Sequence, residues 1–498
     1  MNRKKLLALN TSSSLIFQLT TIICGFIVPR LILQTYGSEV NGLINSITQF
    51  LSIIAFLELG VGAVIQSSLY KPLANKDDAE ISKIIVSGQK FFSRLARILL
   101  VYVIILMGVY PIVAKSNFGF LYSATMIFVI SISSFAQYYF GIVNSLLITA
   151  NQRGYYSYNI QTLTLILNTI ACFVLIKLGA SIHLVKFTTS IIYLLRPMLL
   201  SLYVKRNYNI DWKIKYSGEP IKQKWNGIAQ HVAAVILDGT DNILLTIFMG
   251  LEAVSVYSVY NLVVSGVKKL LLSMTNGIQS LMGEMLATNE IEKLKIFFGW
   301  VEWAIHTGTT FVFGVTCVLI VPFVDVYTLG INDADYIVPA FATLIVLANA
   351  GHCLRLPYNL IILAAGHYKE TQRNYIVASI INIVLSILLV RSLGLIGVAI
   401  GTLVAMIYQT IWMATYDSKN IIHRPIKNFI KQFLIDIITI IFIILIGNII
   451  GINDITWISW VIYAVKISLM SIFLVLIINY VFYRPYLIKI FIKFKDVF

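Results

Sequence analysis

Fourteen segments of this chain run for about 20 residues or more with few charges and no strand-like alternation, roughly at 12–34, 41–70, 91–113, 120–149, 157–177, 182–203, 227–249, 253–285, 297–321, 337–365, 375–391, 394–415, 430–450 and 457–482. Water does not reach a bilayer core to satisfy backbone N–H and C=O groups, so only helices and closed barrels cross it. Apolar runs of this length match the helical rise over about 30 Å of hydrocarbon. The expected fold class is all-α, a polytopic membrane protein of about 14 transmembrane helices. Composition agrees: the 498 residues are 58% hydrophobic and 12% charged, with a mean hydropathy of +0.84, unlike a soluble enzyme.

Basic residues give the direction of threading. Of 38 Lys and Arg, Arg30, Lys115, Lys177 and Arg391 fall at outer connections when both termini are placed in the cytoplasm. Lys186, Arg196, Lys268, Lys269, Arg355 and Lys466 fall within spans, and the remaining 28 lie on the cytoplasmic side, as the positive-inside rule requires. The net charge of +16 is spread over many short loops. It suits orientation and anionic lipid headgroups, and it argues against a nucleic-acid partner. The basic start, Met1 to Lys5, reads as an uncleaved signal anchor. Cys24, Cys172, Cys317 and Cys353 sit in apolar segments without CxxC spacing, which argues against a disulfide framework or metal site and suggests packing.

The chain also repeats itself at about 213 to 215 residues. Gly37-Ser38-Glu39 recurs as Gly250-Leu251-Glu252, Leu73-Ala74 as Leu286-Ala287, Asn144 as Asn359, and Leu178-Gly179 with Tyr193 as Leu393-Gly394 with Tyr408. Six spans per repeat is an even number, so the halves share one orientation, related by an axis along the membrane normal. The expected organisation is an N-terminal six-helix lobe (1–204), a cytoplasmic linker (205–226), a C-terminal six-helix lobe (227–416) and two additional helices with a cytoplasmic tail (417–498). The stretches 71–90 and 288–295 occupy equivalent positions and read as amphipathic helical hairpin connections.

The residues Val28-Pro29-Arg30-Leu31, Tyr36 to Leu43, Leu57-Glu58-Leu59-Gly60-Val61-Gly62 and Leu69 to Ala74 resemble the polysaccharide flippases of the multidrug/oligosaccharidyl-lipid/polysaccharide exporter superfamily. The resemblance covers essentially the whole chain, because the two six-helix lobes and two extra helices match as well. It implies a MATE-like fold and a carrier that moves undecaprenyl-pyrophosphate-linked oligosaccharide from the inner to the outer leaflet of a bacterial plasma membrane. Such a carrier supplies capsule, exopolysaccharide or cell-wall polymer, and works beside glycosyltransferases and a polysaccharide polymerase. It is not an enzyme and has no cofactor beyond coupling to an H+ or Na+ gradient.

Ionisable groups inside spans cost roughly 2.5 to 3.5 kcal/mol each on insertion scales and normally face a partner or a wet cavity. Arg30, Arg196, Lys268, Lys269 and Arg355 form a cationic set suited to a pyrophosphate in a central cavity, where arginine binds such oxygens in parallel pairs. The competing reading is that Arg30 and the lysines snorkel to an interface and Arg196 meets carbonyls near Pro197. Glu58, His231, Asp238, Asp241, Glu302 and His306 are candidates for ion coupling or gating. His231, Asp238 and Asp241 share one helical face, and Glu302 and His306 stand one turn apart. Each has a structural alternative, a salt bridge or a hydrogen bond between helices. The hydroxyls of the first span, Thr11 to Ser14, Thr20 and Thr21, suit either a hydrated path or interhelical bonding.

An ion-coupled drug or metabolite antiporter of the same superfamily is the nearest alternative. An integral-membrane glycosyltransferase or polymerase is more distant, resting on Asp333-Ala334-Asp335 in a short outer connection. No GxxxxGK[ST] motif for ATP hydrolysis occurs.

Overall fold

The structure, a computed structural model, describes residues 3–54, 59–114, 117–216, 218, 228–275, 278–452 and 454–487. Regular structure among them is entirely helical, and the chain divides into two compact units, Met1–Ser255 and Val256–Phe498. Unit 1 holds α1 (Arg3–Ser52), α2 (Leu59–Asn75), α3 (Asp78–Val113), α4 (Phe120–Ala136), α5 (Ile142–Ala150), α6 (Tyr155–Lys177), α7 (Ile182–Asn207), α8 (Ile228–Phe248) and the first turn of α9 (Leu251–Met274). Unit 2 continues with α10 (Ile278–Ala287), α11 (Ile291–Tyr327), α12 (Pro339–Leu354), α13 (Leu356–Ala364), α14 (Tyr368–Leu393), α15 (Leu395–Asn420), α16 (Lys427–Ile450) and α17 (Trp457–Phe482).

Eleven helical segments among the described residues are long and apolar enough to cross a membrane, and the chain is a multi-pass membrane protein. Fourteen spans were expected. The stretch Ala8–Ser52 runs through two of them, and the expected spans at 227–249 and 253–285 are not among the eleven. Within α1 the two helices meet at Gly37, whose φ of 85° and ψ of 173° belong to a region open essentially to glycine alone.

Backbone geometry repeats with the sequence. Positive φ occurs at Gly37 and Gly250, at Lys76 and Asn289, at Gln152 and Gly366, and at Gly179 and Gly394. Each pair is separated by the spacing of the repeat, so four chain reversals recur in the same order. Lys76 and Asn289 lie in the two expected hairpin connections. In the first, Asp77 caps α3 by accepting from the Glu80 N–H at 2.9 Å.

In unit 1 the end of α1 is held by buried polar ties. Ser46 Oγ lies 2.7 Å from Thr246 Oγ1 of α8 and accepts from the Tyr110 hydroxyl of α3 at 2.8 Å. Asn41 donates to Ser255 at 2.8 Å. A Cβ on Gly42 would run into the Leu251 carbonyl, so glycine permits that close approach. In unit 2, α11 packs against α12, α16 and α17. Ile443 of α16 fits against Gly314, and Val318 of α11 against Gly447. Trp303 Nε1 donates to Asn479 of α17 at 2.6 Å.

Candidate functional site

The sequence Arg355-Leu356-Pro357 interrupts a span. Pro357 has no N–H to return to the carbonyl one turn earlier, and the helix breaks into α12 and α13 at Arg355. The repeat-equivalent place in unit 1 is also irregular, a π-helical turn at Gln137–Gly141 between α4 and α5. Such departures from regular helix mark functional positions in membrane carriers. The first repeat places Gln137, Tyr138, Tyr139 and Phe140 there, whereas the second places a cation.

Arg355 is 5% exposed. Its Nη2 lies 3.2 Å from His352 Nδ1, and its guanidinium sits over the Tyr375 ring with the centroid at 5.7 Å. Nε and Nη1 have no hydrogen-bond partner among the described residues. Lys268 of α9 is near enough for its charge, with that of Arg355, to act on both His352 and Cys353. Arg355 and the His352 imidazole therefore meet at the helix break, within range of the Lys268 charge. Leaving guanidinium N–H groups buried and unmatched is costly, and an oxyanion is the ligand that would satisfy them.

The remaining cations are arranged differently. Lys269 is exposed on α9. Arg30 is half-buried on α1, after Pro29, and has a partner. Arg196 on α7 stacks 3.9 Å from the Tyr193 ring centroid and donates from Nε to Thr164 Oγ1 at 2.7 Å, which replaces the expected contact with carbonyls near Pro197.

Glu302 and His306 are brought together, within a larger buried network. Tyr358 donates to Glu302 at 2.7 Å and lies 3.2 Å from His306 Nε2. Arg424 pairs with the other oxygen of Glu302. His306 Nδ1 stands 2.5 Å from Asp436 Oδ2, and the second oxygen of Asp436 accepts from Thr310 at 2.9 Å and Gln432 at 3.2 Å. Asp436, Arg424, Tyr358 and His352 do not figure among the candidates read from sequence. Asp436 carries a legible signal, a carboxylate inside the apolar run 430–450.

Of the other candidates for ion coupling or gating, Glu58 lies outside the described residues, as do the side chains of His231 and Asp238 on α8. Asp241 on the same helix is buried, 5% exposed, and has a partner. Thr20 and Thr21 donate to the carbonyls of Ile16 and Phe17 on their own helix, each at 2.8 Å, and so bond along α1 rather than across helices. Asp335 accepts from the Ile337 N–H at 2.9 Å, a turn-forming bond. The four cysteines are free, and no group of three or more His, Cys, Asp or Glu among the described residues is placed to hold a metal.

No protein-family model matches the chain, and no curated protein matches its sequence. Solved structures do match. The lipid II flippase MurJ in an inward closed conformation superposes with a TM-score of 0.70 at 16% identity, over 95% of this chain and 99% of its own. An inward-facing multidrug resistance MATE family transporter of the MOP superfamily gives 0.61 at 16% identity, over 80% of this chain and 94% of its own. The Vibrio cholerae MATE transporter VcmN gives 0.60 at 14% identity, over 84% of this chain and 98% of its own. The chain has the fold that this flippase and these transporters share.

Proposed function

We propose that the chain is a flippase carrying an undecaprenyl-pyrophosphate-linked oligosaccharide from the inner to the outer leaflet of a bacterial plasma membrane by alternating access. The observation that carries this reading is the buried guanidinium of Arg355, with two donors unmatched and Lys268 nearby. A pyrophosphate supplies the charge and acceptor oxygens those donors lack. Lys268 and the exposed Lys269, both on α9 of the same unit, would supply further positive charge for the headgroup. The flippase structure also matches a share of this chain that the MATE structures leave out, 95% against 80% and 84%. Glycosyltransferases would build the substrate and a polymerase would consume it. An H+ or Na+ gradient would drive the cycle, with termini in the cytoplasm.

The test is reconstitution in liposomes with a fluorescent undecaprenyl-pyrophosphate oligosaccharide in both leaflets, followed by quenching from outside. The expected result is full quenching with the wild-type chain and only the outer-leaflet fraction with Arg355→Met. Transport of cationic dyes with no movement of the lipid would overturn the reading in favour of an antiporter.

A further inference from the structure

The connection between α15 and α16 brings one cation within reach of two carboxylates. Ile421 and Ile422 N–H donate to the Asp417 carbonyl at 3.1 and 2.9 Å, His423 takes a φ of 52°, and Ser418 donates to the Arg424 carbonyl. The turn fixes the Arg424 backbone against the end of α15 and aims its side chain at Glu302 of α11. Arg424 and Asp417 line one small cavity of ≈ 10 Å³ together with Tyr358, Phe298 and Phe429.

Asp417 lies just past the apolar run 394–415. It is 2% exposed, and neither carboxylate oxygen has a hydrogen-bond partner among the described residues. The one guanidinium at this cavity is engaged by Glu302. An isolated carboxylate in such a place is strongly disfavoured, and the cavity is too small for a hydrated cation.

We propose that Asp417 is a proton-binding site and that Arg424 is its counter-ion in exchange. With a proton on Asp417, Arg424 pairs with Glu302, the arrangement in this structure. When the proton leaves to water, Arg424 turns to Asp417, and Glu302 keeps only the Tyr358 hydroxyl. The groups facing Asp417 are Arg424 in the connection, Glu302 of α11 and Tyr358 of α13. Beyond these stand His306 of α11 and Asp436 of α16, linked through Tyr358, and on the α14 side His367, which meets Tyr416. Because Arg424 stands three residues before α16, the exchange would alter how that helix is held. The proposal deepens the transport reading by giving it a proton site, and rests on that reading only for the work done by proton release.

The experiment is infrared difference spectroscopy of the full-length protein in phosphatidylethanolamine and phosphatidylglycerol vesicles, titrated from acid to alkaline pH without substrate. A protonated-carboxyl band present at neutral pH should vanish in Asp417→Asn, with the melting temperature unchanged or raised. In Glu302→Gln, which frees Arg424, the same band should vanish although Asp417 is intact. A band unchanged in Asp417→Asn overturns the proposal, as does a large fall in stability of that variant, which would reveal a paired carboxylate. Neither readout involves lipid movement, so a failed flipping assay leaves this result standing and the reverse also holds.

Discussion

Nδ1 of His306 on α11 lies 2.5 Å from Oδ2 of Asp436 on α16, and the two side chains are 0% and 4% exposed. The pair joins the second repeat to the first of the two additional helices. Removing one member leaves the other buried and unmatched. Asp436→Ala is expected to destabilise the folded protein by about 3 to 5 kcal/mol. Replacing both with leucine should recover most of that loss, since an apolar pair leaves no orphaned charge. Equilibrium unfolding in detergent checks this: losses that simply add in the double variant would mean that the two side chains are not coupled.

Arg355 should behave in the opposite way. It has no carboxylate partner among the described residues and two unmatched donors, so Arg355→Met relieves an unfavourable burial and gives up only the neutral contact to His352 and the stacking on Tyr375. Its melting temperature is expected to hold or rise. Loss of a charge-assisted contact to substrate, about 1.5 to 3 kcal/mol, should weaken headgroup binding by roughly 10- to 150-fold. Binding of a water-soluble pyrophosphate analogue to the purified variant measures this, and unchanged affinity with reduced stability would make Arg355 a structural residue.

Why some features could be read from sequence follows from their range. The helices and the repeat depend on spacing along the chain, and Lys76 and Asn289 take positive φ at equivalent places because each directly follows a helix end, Asn75 before Lys76 and Ala287-Thr288 before Asn289. Glu302 and His306 stand one turn apart, so their proximity is local. Their partners are not: Asp436 is 130 residues from His306 and Arg424 is 122 from Glu302. Asp436 is an anomaly in an apolar run, as Glu302 is, but Arg424 sits in a short polar connection where a basic residue is ordinary. Arg196 illustrates another limit. Its stacking on Tyr193 and bond to Thr164 depend on rotamers and on the packing of α6 against α7, neither of which a charge in a span reveals.

Gly37 offers a backbone test. Its φ of 85° with ψ of 173° excludes a side chain without strain of about 1 to 3 kcal/mol. Gly37→Ala should therefore lower stability by that amount although no contact is lost. The same substitution at Gly108, which has ordinary helical geometry and open space around it, should be neutral or slightly stabilising. Comparing the two melting temperatures separates backbone strain from crowding, and equal shifts would rule strain out.

The two additional helices are expected to be indispensable to unit 2 rather than appended to it. Without α16 and α17, His306 and Thr310 would lose Asp436, and Trp303 would lose Asn479. The grooves at Gly314 and Val318 would lose Ile443 and Gly447, opening an apolar face along α11. Each orphaned buried polar group costs about 1 to 3 kcal/mol, and the three together, with the opened apolar face added, rival the about 5 to 15 kcal/mol that is a domain's whole stability. A chain ending at Asn420 should fail to accumulate as folded protein. If α16 and α17 are supplied as a separate peptide carrying Asp436 and Asn479, fluorescence-detected size-exclusion chromatography should show recovery. The same peptide with Asp436→Ala should not restore it, and a truncated chain that is monodisperse by itself would show that α11 needs no cover.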